Sequence, residues 1–196
     1  MPGGIENMNQ KANMDQLKNE PAYSIQVLEF IKAANDFCVY LENIDTVEKM
    51  QAANYFSRII PLLYLKASLL PEIKPEDDST NEKFVTQEQY QDIFNKIRTK
   101  LMPDDEFWFV DPSSPDTGQS KKGSLAEKLA DAYQDIKDFI ILYQKNSKSA
   151  KQNAVKECSK MFRQRWGLGL INVLGILHTL IFSGEYFDDT VEDFLD

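Results

Sequence analysis

The chain has 196 residues, 42% hydrophobic and 27% charged, enough for one core of ordinary size and too apolar for general disorder. Its 31 acids against 22 bases give a net charge of −9, which opposes binding to a phosphate backbone and excludes nucleic acid as a default partner. Cys38 and Cys158 show no CxxC or Cys/His spacing, so neither a disulfide framework nor a zinc site is expected and a reducing, cytoplasmic setting fits.

Residues 1–21 are polar, lack an apolar stretch of the signal-peptide kind and read as a flexible leader. Ser24 then offers an N-cap to a helix whose stripe is Val27, Ile31, Ala34, Cys38 and Leu41. Asp45 with Glu48 resembles a capping box for a second helix, striped by Ala52, Phe56, Ile59, Leu63 and Ala67 and ending near Pro71. Pro61 inside that stripe cannot donate to the carbonyl of Ser57, so a kink or a division into two helices is expected. After a polar connector at 76–82, Thr86 and Gln89 form the next capping box, and Tyr90, Ile93, Phe94, Ile97 and Leu101 follow at helical spacing until Pro103.

Residues 103–124 show no helical period. They carry the aromatic run Phe107-Trp108-Phe109 and then Pro112, Pro115, Gly118 and Gly123, and read as a loop with a packed aromatic end and a mobile Ser-Gly end. Ser124 and Glu127 open the fourth helix, with Leu125, Leu129, Ala132, Ile136, Phe139 and Tyr143 on its core face. A lysine-rich turn leads to a last helix of more than thirty residues, which Gly184 is expected to stop. Its most apolar run, Trp166 to Phe182, is interrupted by Asn172, His178 and Thr179 and thinned by glycine, so it reads as the central helix of a bundle and not as a membrane span. The expected fold is all-α, a single-domain antiparallel bundle of about five helices over 22–183 with a long, largely buried C-terminal helix, followed by an acidic tail at 184–196.

Three features carry candidate chemistry. Asp131, Asp135 and Asp138 fall within an arc of about 60° on the fourth helix, a spacing that hard cations such as Mg or Mn use, although a solvated face or an ion-pair seam with Arg163 or Arg165 is the leading reading. His178, the single histidine, is a candidate acid-base residue together with Asp138, although no nucleophile motif accompanies it and a core position fits its apolar surroundings. Lys145, Lys148, Lys151, Lys156, Lys160, Arg163 and Arg165 form a basic run, suited to an anionic partner or to compensating the chain's own acids. Trp108, Arg163, Arg165 and Trp166 are the candidate binding residues. The tail holds Tyr186, Phe187 and Phe194 among acids, the composition of an acidic-aromatic docking motif or of a solubilising end. The common phosphate-loop, nucleophile-elbow, zinc-protease and dinucleotide signatures are absent.

Pro61-Leu-Leu-Tyr64, Phe109-Val-Asp-Pro112, the run Leu129 to Asp138, Trp166-Gly167 and Leu177-His178 together resemble a bacterial all-helical family described as a domain of unknown function. The resemblance spans roughly 22–182 and implies a helical fold. Where that family carries a polar residue after the Trp-Gly and an arginine ahead of the Leu-His, this chain has Leu168 and Gly175. The leading expectation is a cytoplasmic, non-enzymatic domain that binds a protein or a small ligand. The alternative is a divalent-metal-dependent hydrolase of the phosphate-ester or nucleotide class, with Asp131 and Asp135 as ligands, Asp138 as ligand or base and His178 as acid-base residue.

Overall fold

A computed structural model describes residues 20–79, 82–110 and 118–188, with side chains through 182. The leader through residue 19 and the tail from residue 189 lie outside these described residues. Helices α1 (Ile25–Glu42), α2 (Lys49–Ser68), α3 (Gln87–Leu101) and α4 (Leu125–Tyr143) are followed by α5 (Lys148–Met161), a π-helical turn (Phe162–Trp166) and α6 (Gly167–Asp188). The segment Lys148–Phe182 is one continuous rod, so the expected five helices of an all-α bundle are present.

Local chemistry accounts for most boundaries. Thr86 accepts the amide of Gln89 while the Gln89 side chain accepts the amide of Thr86, at 3.2 and 3.0 Å, and Ser124 accepts the amide of Glu127 at 3.1 Å. The second helix starts later than its sequence suggests: residues 44–46 form a short 3-10 turn, and Glu48 takes the N-cap position that Asp45 was expected to prepare. Ser24 stands at the N-cap of α1, but its hydroxyl is buried and makes no hydrogen bond among the described residues. α2 runs unbroken through Pro61, neither split nor shortened by it. At the other end, Gly184 does not stop the last helix, which continues to Asp188 because glycine in a helix interior weakens it by only about 1 kcal/mol.

The stretch after Pro103 is not a plain loop. Glu106–Val110 (β1) pairs antiparallel with Ser120–Ser124 (β2), with Phe107 opposite Gly123 and Trp108 opposite Lys122. Phe107 turns inward and is 5% exposed, whereas Trp108, expected in a packed aromatic end, is 66% exposed. Gly123 gives the Phe107 ring its room, since a Cβ there would meet that ring at 3.0 Å and push it aside by a few tenths of an ångström.

The core gathers Phe30, Phe37 and Leu41 of α1, Phe56, Ile60 and Leu63 of α2, Leu129 and Ile136 of α4, and Trp166, Leu170 and Val173 at the last rod. Phe30 and Trp166 stack with ring centroids 6.4 Å apart, and Phe162 bridges Trp166 to Tyr64 of α2 at 4.9 and 5.0 Å. The π turn is seated on this cluster. Gly167 is its exit, because a Cβ there would come within 2.6 Å of the Phe162 carbonyl oxygen. Gly167→Ala is therefore expected to destabilise by about 2 kcal/mol, measured by urea unfolding, through forced displacement of the Phe162 backbone.

The inner face of α6 is buried at Leu170, Val173 and Leu177, but Leu168 and Ile171 remain 42% and 41% exposed. The last helix packs against α2 and α4, and among the described residues its outward apolar face is exposed.

Candidate functional site

The aspartate stripe is placed on the inward flank of α4, and each carboxylate meets a different partner. Asp131 accepts the hydroxyl of Tyr90 from α3 at 3.1 Å. Asp135, 5% exposed, accepts Nε of Arg165 from the π turn at 2.9 Å, with Lys83 4.0 Å away. The same guanidinium donates to the Asp131 carbonyl and to Gln134, both at 3.3 Å. Asp138 accepts the main-chain amides of Phe84 and Val85 at 2.7 and 2.9 Å, and its second oxygen lies 3.6 Å from the Lys83 ammonium. Burial raises the Asp135 carboxyl above its ordinary value, against the lowering influence of Arg165 and Lys83.

This arrangement is a seam between α4 and the elements around it. Among the described residues no group of three or more acids, histidines or cysteines is arranged to hold a metal ion. The space beside Asp135 and Asp138, about 10 Å³, has room for one water at most and is too small for a substrate. Of the two arginines foreseen as partners, Arg165 joins the stripe, while Arg163 reaches Glu72 at 3.2 Å.

Arg165 joins the stripe, while among the described residues the rest of the basic run is compensated chiefly by acids of other segments. Lys145 pairs with Glu82 at 2.5 Å, Lys148 with Glu76 at 2.5 Å, and Lys156 with Asp78 at 2.8 Å. The residues between α2 and α3 are thus strapped onto α5 by opposite charges, and Gln152 and Asn153 add hydrogen bonds to the main chain at Glu76 and Asp77. Trp166 is 1% exposed, so it packs the core and presents no binding surface; among the described residues its indole N–H has no acceptor.

His178 is exposed on α6, away from the aspartates, and its ring lies 4.9 Å from that of Phe182. The core position expected from its apolar neighbours does not arise, because the helix is uncovered on that side. His178 instead borders an open groove of about 690 Å³ between α2 and α6. One wall is Ile171, Leu174, Gly175 and Phe182; the other is Asn54, Ser57 and Arg58. Gly175 widens the α6 wall, with nothing within 4 Å of where its Cβ would stand. Pro61 leaves the Ser57 carbonyl without its usual helical amide donor, so the α2 wall has spare acceptor capacity. Arg58 is exposed and makes no ion pair among the described residues. Neither Arg58 nor the groove stood out in the sequence; the signal was the all-round apolar character of α6, which one covered face cannot use up.

Residues 21–183 match the family described as a domain of unknown function, DUF5063. The chain belongs to this family. The match covers both walls of the groove and the whole aspartate seam, so these are parts of the DUF5063 domain and not of flanking segments. The crystal structure of protein BF1032 from Bacteroides fragilis is similar to this DUF5063 chain, with 31% sequence identity and a TM-score of 0.73 over 83% of this chain and 96% of that one. No curated protein matches the chain.

Proposed function

We propose that this protein is a non-catalytic, cytoplasmic binding domain that takes an apolar protein segment into the groove between α2 and α6. The observation that carries the reading is a helix apolar around its circumference yet covered on one side. Leu168 and Ile171 on α6, and Leu62 and Leu65 on α2 at 42% and 54% exposure, stand against solvent. A helix apolar all round is expected to be enclosed, and such an uncovered face marks an interaction site. The groove's concave shape and its mixture of aliphatic side chains with a few polar groups suit a peptide-like segment in a helix or extended form. Two buried free thiols, Cys38 and Cys158, support a reducing compartment, and burial pushes both well above the usual thiol range. The hydrolase alternative loses support because each stripe carboxylate already serves a neighbouring element.

Ile171→Asp tests the reading. In the isolated protein the substitution is expected to leave the unfolding free energy within about 0.5 kcal/mol of wild type, as for an exposed position, while abolishing fluorescence of the apolar dye ANS in the groove. A loss of several kcal/mol, or unchanged dye binding, would show that this face is not a free docking surface. Millimolar Mg or Mn is expected to leave the melting temperature of wild type unchanged; stabilisation by several degrees would revive the hydrolase.

A further inference from the structure

The basic run borders a second cleft, whose lining shares no residue with the α2–α6 groove. α5 presents Lys156, Ser159 and Lys160 at helical spacings of three and four, and Arg163 follows from the π turn. These side chains face the segment Pro71–Lys74, which leaves α2, across an open space of about 670 Å³, a size suited to a small molecule. The segment is held on both sides of Lys74. Glu72 meets Arg163 at 3.2 Å, and Glu76 is bound by Lys148 through its side chain and by Gln152 through its amide.

The charge of this cleft is the reverse of the protein's. Four cations, Lys74, Lys156, Lys160 and Arg163, line it against one acid, Glu72, in a chain whose net charge is −9. Lys156 and Lys160 stand four residues apart on one helix, where like charges repel. Their counter-ions leave them available. Asp78 meets Lys156 at 2.8 Å and Glu157 meets Lys160 at 3.5 Å, each through one oxygen, and an ammonium or guanidinium carries more donors than one oxygen satisfies. The Asp78 and Glu72 side chains are 68% and 83% exposed, and pairs so exposed contribute at most about 1 kcal/mol. Lys74 makes no ion pair among the described residues, and the side chains of Ser159 and Gln164 make no hydrogen bond there.

We propose that this cleft binds a compact phosphate-type anion, free or carried on a small molecule, with its oxygens held by Lys74, Lys160 and Arg163 and by donors from Ser159 and Gln164. Several oxygens on one small anion match clustered ammonium and guanidinium donors better than separate exposed carboxylates do. A nucleic-acid backbone is a poor match, because Asp78 and Glu157 beside the cleft and the overall negative charge repel an extended polyanion. The site is independent of the docking groove.

Isothermal titration calorimetry of the full chain with inorganic pyrophosphate, without added metal, tests the assignment. Wild type is expected to bind saturably with a Kd below about 1 mM, and amide shifts in the NMR spectrum should centre on residues 72–74 and 156–164. Lys74→Glu should weaken binding at least tenfold. Lys32→Glu, an equal change of charge at an exposed position on α1, should leave it within twofold. Both lysines are exposed, so neither variant should alter unfolding. ADP distinguishes the sources: binding at least tenfold tighter than pyrophosphate supports a phosphate carried on a larger molecule, and equal or weaker binding supports a free one. Absence of saturable binding by both ligands, equal weakening by Lys74→Glu and Lys32→Glu, or succinate bound as tightly as pyrophosphate would each overturn the proposal.

Discussion

Replacing Asp138 by alanine should destabilise the fold by about 3 kcal/mol, a fall in melting temperature of about 6–12 °C for a domain of this size. The carboxylate accepts the amides of Phe84 and Val85, the two residues that lead into α3, and it does so as a charged acceptor. Alanine leaves both donors without a partner. The Val85 amide is buried and water cannot replace the lost oxygen there, whereas the half-buried Phe84 recovers part of its bond from solvent. Asp138→Asn keeps one acceptor and should lose about half as much. Urea unfolding measures the totals, and amide exchange should show protection lost first at residues 84 and 85. A resident cation ligand or catalytic base behaves oppositely: removing it from a crowded acidic stripe leaves the metal-free protein as stable or more so. Wild-type stability in Asp138→Ala would therefore remove the architectural role assigned to this residue.

Arg165→Met should cost about 2–3 kcal/mol at neutral pH, and Asp135→Asn in the same background should restore most of it. Asp135 is buried while Arg165 is half exposed, so deleting the guanidinium strands a carboxylate whose remaining cation, Lys83, lies 4.0 Å away. Asp135→Asn alone should be neutral or slightly stabilising, because the amide oxygen still accepts from Arg165 and one buried charge fewer has to be compensated. The pH dependence follows from the raised carboxyl. In the window between the ordinary carboxylate value and the higher folded value, the native state holds a proton that the unfolded state has released. Stability contributed by Asp135 is thus fullest below the ordinary value and declines as pH rises through the window. Asp135→Asn should flatten that slope, and Arg165→Met should steepen and extend it toward neutrality. Parallel stability-against-pH curves for all three proteins would refute the coupling.

The helical framework was legible because it depends on local rules. The capping pair Thr86 and Gln89 and the cap at Ser124 are set within four residues, and both occur as the sequence indicates. The hairpin was not legible for a physical reason: its alternation lasts only five residues in β1, and its partner strand is Ser-Lys-Lys-Gly-Ser, which lacks any β-forming side chain. Arg165 was foreseeable as a counter-charge to the stripe. The partners of Asp138 were not, since main-chain amides 53 and 54 residues away carry no side-chain signature. His178 was misplaced because hydrophobicity tells how apolar a helix is, not which of its sides a neighbour covers. The groove escaped notice on the same ground, since half of it belongs to α2.

The π turn sets the phase of the final rod. Apolar around most of its circumference, α6 has only a weak hydrophobic preference for one rotation over another, and a slip of one residue, about 100°, would exchange Leu170, Val173 and Leu177 for Ile171, Leu174 and His178 against the core. Shape must choose between these settings. The wide turn at Phe162–Trp166 absorbs the angular drift between α5 and α6, and Gly167, pressed against the Phe162 carbonyl, admits only one screw position. Deleting a single residue between 162 and 166 would then act like a turned key: the helix stays intact, but the surface it shows to the outside is a different one.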